Sequence, residues 1–279
     1  MNLQDKLKGL STIYYTNLDH RTDRREYMET QFDYWGIRNY HRISSSKYLS
    51  TEEYKWEHLV LDKFLSFGSA AVANSITHLE MIKNWLETTN EPYMIMMEDD
   101  YDLSLIEYWN FDWEYLMNHI PQNWDCIQLG FENQDIIPFF LHPVLLKHGF
   151  GPCMINRTYA GKLIKMHYVE DKFKLNLKIN HKNPNYTESY GAVDTFIPNG
   201  GITYSIPLIT NTDLGSDYSP TGTPRPWFFK CRELYYYWWK NEHHNFSLED
   251  FFTYGKPNDY KMIKKVNYKK ETKKNIFYS

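Results

Sequence analysis

The chain has 279 residues, and 42% of them are hydrophobic, which is enough for one large α/β domain or two smaller ones. Its 31 basic and 35 acidic residues give a formal net charge of −4, without the basic footprint of a nucleic-acid-binding protein. We therefore predict no nucleic-acid partner.

The cysteines and the N-terminal segment indicate the cellular compartment in which we expect the protein. Cys126, Cys153 and Cys231 are widely spaced and show neither metal-ligand spacing nor a disulfide framework, which predicts reduced thiols. The N-terminal segment has no apolar core of a signal peptide, and no stretch approaches the roughly 20 apolar residues of a membrane span. We expect a soluble, cytoplasmic protein without a transmembrane segment.

A strand and a helix open the chain. Residues 12–18 are rich in β-branched and aromatic side chains, which predicts a strand. Apolar residues then recur at helical spacing as far as Gly36, which suits a helix end. Residues 41–66 are irregular and polar, and we expect a loop with one helical turn there.

Residues 69–88 are the most clearly helical segment. Ser69 is suited to the N-cap. The apolar residues of one face are Val72, Ile76, Leu79, Ile82, Trp85 and Leu86. Pro92 then opens an apolar strand that continues to Met97.

Strands and helices continue to alternate. We predict strands at 124–130, 150–155 and 202–210, and a helix at 158–168. Thr158 is the expected helix cap, and Pro207 predicts that the last of these strands is an edge strand or bends. The alternation indicates an α/β fold with a largely parallel sheet.

The pattern changes after Asn211. A loop rich in Gly, Pro, Ser and Thr precedes a predicted helix at about 228–241. Residues 258–279 carry seven Lys against one Asp and one Glu. Such a tail is either solvated and mobile or in electrostatic contact with an anionic surface.

Four acids directly follow the apolar strand: Glu98, Asp99, Asp100 and Asp102. Like charges this close persist most easily around a cation, and carboxylate oxygens suit Mn²⁺ or Mg²⁺. Ligands of open α/β sheets bind at the carboxyl ends of strands. Asp100 belongs to both acid-x-acid pairs and is the first choice as a metal ligand. The alternative is a charged turn that caps the next helix.

The end of the first strand adds positive charge. Asn17 and Leu18 end it, and Arg21, Arg24 and Arg25 follow. Guanidinium groups match phosphate geometry, so this loop could meet a pyrophosphate. The alternative is an amphipathic helix with an exposed arginine face.

A series of short motifs runs in one order along residues 11–217. They are Asn17-Leu18 with Arg24, Gly68 with Thr77-His78-Leu79, Glu98-Asp99-Asp100, Trp124-Asp125 with Leu129-Gly130, a looser match at 150–164, Val193-Asp194, and Pro207 with Ser216-Asp217. In this order they resemble glycosyltransferase family 25, the lipopolysaccharide-type and collagen-type galactosyltransferases. Thr77 stands where the family has Ser and keeps the hydroxyl group.

The resemblance implies a GT-A fold, in which helices flank a Rossmann-like, mostly parallel sheet. It also implies a UDP-sugar donor, a divalent metal, usually Mn²⁺, and transfer with inversion. We therefore expect a hexosyltransferase that moves galactose or glucose to a hydroxyl group of a glycan or glycoprotein acceptor. Residues 1–230 would form the glycosyltransferase domain, and 231–279 a helical, Lys-rich extension of it.

Each candidate residue receives an expected role. The metal ligands are Glu98, Asp100 and Asp102. The donor contacts are Asn17, Leu18, Arg24, His78, Asp99 and Arg225. The acceptor contacts are Asp217, Glu132 and Trp227. Asp194 is the candidate base, because inverting transfer needs a carboxylate within reach of the acceptor hydroxyl, and Asp217 and Glu132 are its rivals.

Several alternatives stay open. Asp194 could cap a segment, His78 could be structural, and the loop at 221–229 could be an ordinary surface loop instead of a lid over the donor. The whole protein could be a catalytically inactive carbohydrate-binding or scaffold protein on the same fold. A nucleotidyltransferase ranks last, because no Gly-rich phosphate loop follows Leu18.

Overall fold

The computed structural model describes residues 4–48, 58–61, 69–130, 139–144, 151–175, 192–212, 214–215, 217 and 226–252. Its strands are β1 (Ile13–Asn17), β2 (Tyr40–Ser44), β3 (Tyr93–Glu98), β4 (Tyr101–Asp102), β5 (Cys126–Gln128), β6 (His142–Pro143), β7 (Cys153–Asn156), β8 (Tyr168–Val169), β9 (Lys172–Phe173), β10 (Thr203–Ser205) and β11 (Thr210–Asn211). Its α-helices are α1 (Thr22–Trp35), α2 (Ser69–Thr88), α3 (Trp113–His119), α4 (Arg157–His167), α5 (Val193–Asn199), α6 (Pro226–Tyr237) and α7 (Leu248–Phe251). Short 3₁₀ helices lie at Gln4–Leu7, Ser46–Tyr48, Ser104–Tyr108 and His243–Asn245.

A seven-stranded sheet forms the centre of the molecule, in the order β2-β1-β3-β7-β5-β10-β6. β7 runs antiparallel to both of its neighbours, and β6 runs antiparallel to β10. The other strands share one direction. The predicted α/β class with a mostly parallel sheet is therefore confirmed, whereas the reversal of β7 was not predicted.

Helices cover both faces of this sheet because its strands alternate their apolar side chains between two cores. In β3, Ile95 and Met97 belong to one core, and Met94 and Met96 to the other. The first core also takes residues of α1, α3 and α6, and the second takes residues of α2, α4 and α5. A strand buried on both faces explains the unbroken apolar run before the acids.

The two best-defined predicted helices form as expected. Gly36 ends α1 in the left-handed conformation, with φ of 69°, and its N–H bonds to carbonyls of the last turn. α2 begins and ends at the predicted residues, and the predicted apolar face is buried except for Leu86, which is half-buried. Burial of this stripe fixes α2 against the sheet.

Two local predictions were wrong, and a third was confirmed in part. The segment predicted as a loop contains β2, an edge strand whose side chains are mostly half-buried. Asn156, and not Thr158, caps α4, because its Oδ1 accepts a hydrogen bond from Tyr159 N at 2.7 Å. The strand predicted at 202–210 is interrupted at Pro207 as expected, and its two parts, β10 and β11, belong to different sheets.

The C-terminal helices belong to the same core as the sheet. α6 crosses residue 230 and continues into one π-helical turn, Trp238–Glu242. Cys231, Trp239 and Phe251 pack in the first core. The Lys-rich segment 258–279 lies outside the described residues.

Two further sequence expectations have a structural counterpart. Cys126, Cys153 and Cys231 are buried and reduced. No helix in the described part of the chain is both long enough and apolar enough to cross a membrane.

Candidate functional site

The carboxyl ends of the adjacent strands β1 and β3 lie at the switch point of the sheet, where the strand order reverses direction. From β1 the chain first adds β2 on one side and later adds β3 on the other. Thr16 pairs with Glu98, and Asn17 pairs with Ser44. Connections that leave two adjacent parallel strands in opposite directions open a crevice, which is where α/β sheets bind ligands. The predicted acids and the predicted arginines therefore lie at the same edge of the sheet, although Arg24 and Arg25 belong to the first turn of α1 and not to a loop.

Asp99 is held at this crevice by two buried donors. Asn17 Nδ2 donates to Asp99 Oδ2, and an Arg24 terminal nitrogen donates to Asp99 Oδ1, each at 2.7 Å. Asn17 is itself fixed, because Nδ2 also bonds the Arg21 carbonyl and Oδ1 accepts from Arg42. The carboxylate is therefore satisfied within the protein.

Arg24 on α1 links the acid turn to the segment that contains Gly215. The nitrogen that bonds Asp99 also lies 3.5 Å from Asp100 Oδ2. The second terminal nitrogen donates to the Gly215 carbonyl. Arg21, the N-cap residue of α1, forms an ion pair with Asp217 at 2.5 Å, so two arginines at the start of α1 hold Gly215 and Asp217 at this edge.

Glu98 and Asp100 carry the strongest electrostatic perturbation of the site. Burial and the negative charge of Asp100 raise the pKa of Glu98 to about 8, and Asp194 adds to the shift. Burial raises the pKa of Asp100 to about 6 even though Arg24 opposes the shift. Asn74 Nδ2 donates to Glu98 Oε1 at 2.8 Å. Negative charge here is costly without a cation.

Asp194, the predicted base, lies in the first turn of α5 and is exposed. It is close enough to Glu98 to raise the pKa of that carboxyl group. The negative charge of Asp194, from a segment about a hundred residues later in the chain, therefore acts on the acid turn.

Asp102 occupies a different environment from Glu98 and Asp100. It is fully buried, and its Oδ2 accepts from Tyr236 at 2.8 Å and from Arg232 at 3.2 Å. Its Oδ1 accepts from Ser104 N at 2.9 Å. Since both oxygens are committed to protein donors, this geometry favours an anchor for α6 over the metal ligand that the sequence suggested.

His78 lies inside the apolar interface of α2. Its side chain is fully buried, and Nδ1 donates to the Asn74 carbonyl at 3.0 Å. Burial lowers the pKa of His78 to about 4, so the ring is neutral. This favours the structural alternative over a donor contact.

Of the other predicted residues, some lie at the crevice and some lie outside the described residues. Leu18 is half-buried at the end of β1, and Asp217 is bound by Arg21. Glu132, Arg225 and the side chain of Trp227 lie outside the described residues.

Sequence reasoning missed Asn74 and Arg42, which hold Glu98 and Asn17 in place. A signal exists for Asn74 alone: it lies one helical turn before His78, so the two form a polar pair on the same side of α2. Arg42 lies on the strand that was not predicted.

The described residues contain no group of three or more His, Cys, Asp or Glu side chains with the geometry of a metal centre. Glu98 and Asp100 nevertheless have the oxygen chemistry of a Mg²⁺ or Mn²⁺ site. Such ions are often bound by one or two carboxylates together with substrate phosphates. The arrangement therefore fits a metal that arrives with a diphosphate better than a closed protein cage.

No protein-family model and no curated protein matches the chain. Among solved structures, HddC from Yersinia pseudotuberculosis has 12% sequence identity and a TM-score of 0.32, over 81% of this chain and 80% of that chain. HddC complexed with GMP-PN has 13% identity and a TM-score of 0.31, over 81% and 100% of the two chains. Similarity this weak transfers neither a function nor a detailed topology.

Proposed function

We propose that this chain is a metal-dependent inverting glycosyltransferase that moves a hexose, galactose or glucose, from a UDP-sugar to a hydroxyl group of a glycan or glycoprotein acceptor. The GT-A fold and the relationship to glycosyltransferase family 25 belong to the same proposal. The order of the sequence motifs supports them, and so does the mixed α/β architecture with its mostly parallel sheet.

The observation that carries the proposal is the pair of acids, Glu98 and Asp100, at the carboxyl end of β3, with the negative charge of Asp194 on α5 close enough to act on Glu98. Burial and mutual repulsion raise the pKa of Glu98 to about 8. A site that penalises its own negative charge gains free energy when a cation binds. The position at the change of side in the sheet supports a nucleotide ligand beside that cation.

The residues take distinct roles in this proposal. Glu98 and Asp100 hold Mn²⁺ or Mg²⁺, and a metal bound there offsets the charge that develops on the leaving diphosphate. Asp194 accepts the proton of the acceptor hydroxyl group, a role for which its exposure in the first turn of α5 suits it. Asp102 is not part of this set, because it binds α6.

The first experiment is calorimetric titration of UDP, with and without Mn²⁺, into the wild type, Asp100→Ala and Asp33→Ala. Asp33 is a control on α1 with an exposed side chain, paired only with Arg38 at the surface. We expect UDP binding that requires Mn²⁺, is lost in Asp100→Ala and is unchanged in Asp33→Ala. A wild-type protein that ignores UDP in the presence of Mn²⁺ would show the proposal to be wrong.

Catalysis is tested separately from binding. Hydrolysis of UDP-galactose or UDP-glucose in the presence of Mn²⁺ distinguishes a transferase from the catalytically inactive carbohydrate-binding or scaffold protein. We expect slow hydrolysis by the wild type and its loss in Asp194→Asn, with UDP binding retained. UDP binding without any turnover would favour the inactive alternative.

A further inference from the structure

The Arg24 guanidinium is largely buried and is held by protein acceptors. Its side chain is 9% exposed. One terminal nitrogen bonds Asp99 and the other bonds the Gly215 carbonyl, while Nε is buried without a hydrogen-bond partner among the described residues. A guanidinium recognises phosphate through a fork of two parallel N–H groups, and here both ends of that fork are engaged by the protein.

Asp99 is as fully enclosed as Arg24. Its side chain is 6% exposed, and each oxygen accepts one 2.7 Å hydrogen bond, one from Asn17 and one from Arg24. The turn that contains it is also fixed by its backbone, since Thr212 N donates to the Asp100 carbonyl at 2.7 Å. Three separate segments of the chain therefore hold the same turn.

We infer that Arg24 and Asn17 are positioning residues, which fix Asp99 and through it the two neighbouring acids, and that Arg24 does not contact the donor phosphates. Adjacent Cα atoms are about 3.8 Å apart, so fixing Asp99 leaves Glu98 and Asp100 little freedom. The Arg24 nitrogen that bonds Asp99 also lies 3.5 Å from Asp100 Oδ2, so one guanidinium contacts two consecutive residues of the turn.

Retention of a buried ion pair at this turn fits a positioning role. A buried pair seldom adds stability over an apolar pair of similar size, because both charges lose their hydration. Its hydrogen bonds do, however, define one geometry. Rotation of Asp99 would break the bonds to β1 and α1 together, so the pair selects a single arrangement of the acid turn.

Hydrogen exchange in the ligand-free protein tests the inference without any assumption about function. We expect exchange at residues 99–103 and at Thr212 to rise by about tenfold or more in Arg24→Gln and Asp99→Asn, with no further rise in the double variant. Arg25→Gln is the matched control, because Arg25 is the next residue, half exposed and paired with Glu29 at the surface. Exchange in β5 serves as the internal reference for overall stability.

Three results of this experiment would overturn the inference. One is an acid turn that exchanges as in the wild type, and another is exchange in β5 that rises as much as exchange in the turn, which indicates general destabilisation. The third is a double variant that exchanges much faster than either single variant. If Arg24→Gln does not fold, Arg24→Lys replaces it, since Lys can still pair with Asp99 but cannot also bond Gly215 through a second arm.

UDP titration with Mn²⁺ adds a second readout, which rests on the proposed function. If the two residues act as a positioning pair, Arg24→Gln and Asp99→Asn should each weaken the affinity for UDP equally, by about tenfold or more. The double variant should then bind UDP no more weakly than either single variant. Normal binding by Asp99→Asn with weak binding by Arg24→Gln would identify Arg24 as a phosphate ligand and overturn the inference. If the wild type does not bind UDP, the proposed function fails, and hydrogen exchange still decides the role of Arg24.

Discussion

The side-chain amide of Asn74 on α2 donates a 2.8 Å hydrogen bond to the carboxylate of Glu98 at the end of β3. This bond brings a helix from the second core into contact with the acid turn. Glu98 therefore lies between a neutral donor on one side and the charges of Asp100 and Asp194 on others. A change of charge at Asn74 acts directly on the most perturbed carboxyl group of the crevice.

Asn74→Asp replaces the donor by another acid beside Glu98. We expect the free energy of unfolding at pH 8 to fall by about 1 to 3 kcal/mol, because a partly buried hydrogen bond is lost and a like charge is added. Urea denaturation measures this change. Asn84→Asp is the control, since Asn84 lies exposed on the same helix, and its substitution should alter stability by less than about 0.5 kcal/mol. Equal effects of the two substitutions would show that a charge at position 74 does not interact with the acid turn.

Glu98→Gln should separate stability from ligand binding. The neutral side chain keeps the size of Glu98 and removes a charge that burial and Asp100 disfavour. We expect the ligand-free variant to be more stable than the wild type at pH 8 by about 1 kcal/mol, and to lose Mn²⁺-dependent UDP binding. Glu87→Gln, at an exposed i,i+4 pair of α2, is the control for loss of a surface carboxylate. A destabilised Glu98→Gln would contradict the electrostatic account.

The elements that could be predicted from sequence are those whose burial follows a local period. α2 shows a long apolar stripe, and β3 shows a continuous apolar run, so both were correct. β2 has mixed polar residues because an edge strand buries little of its surface, and it was missed. The reversed direction of β7 could not be predicted, since direction depends on which distant strands pair and leaves no mark on four residues.

The candidate site was predictable in position but not in its internal connections. The carboxyl ends of two apolar strands marked where acids and arginines would meet. Which acid binds which donor depends on partners far apart in sequence: Asn17 reaches Asp99, and Asp102 reaches Tyr236. The sequence favours Asp100 because it belongs to both acid-x-acid pairs, but only tertiary packing separates the enclosed Asp99 and Asp102 from Glu98 and Asp100.

Buried neutral histidines should make the protein sensitive to acid. Burial lowers the pKa of His142 to about 4 from 6.5, so the folded state resists protonation where the unfolded state accepts it. The stability that the neutral ring supports is complete above pH 6.5 and is lost as the pH falls toward 4, at about 1.4 kcal/mol per pH unit. Urea denaturation between pH 7 and pH 5 should show a shallower decline in His142→Gln than in the wild type. An identical decline would mean that His142 is protonated in the folded state.

Gly130 lies where the end of β5 meets the segment that leads to β11. A Cβ atom there would be 2.1 Å from the Ile209 carbonyl oxygen, a backbone atom that cannot move aside cheaply. We expect Gly130→Ala to lower the free energy of unfolding by about 2 kcal/mol or more. Gly161→Ala in α4 meets no atom within 4 Å and should be neutral or stabilising by up to about 1 kcal/mol. Thermal unfolding of the two variants tests both, and similar midpoints would contradict this packing.

Asp100→Asn and Asp102→Asn should have opposite consequences. Asp102 is fully buried and binds Arg232 and Tyr236, so loss of its charge leaves a largely buried guanidinium without its anion. We expect Asp102→Asn to lower the free energy of unfolding by about 3 kcal/mol, because removal of one partner of a buried pair is costly. Asp100 is 30% exposed and has a raised pKa, so its neutralisation should cost little.

Ligand binding should follow the reverse order. At a temperature where both variants are folded, Asp102→Asn should retain Mn²⁺-dependent UDP binding, and Asp100→Asn should lose it. Of the two aspartates, Asp100 is the one whose carboxylate faces the crevice beside Glu98. Tyr236→Phe controls for the anchor of α6, since it removes one hydrogen bond to Asp102 and leaves every acid in place. Loss of UDP binding in Asp102→Asn, with normal binding in Tyr236→Phe, would return Asp102 to the metal site that its spacing from Asp100 first suggested.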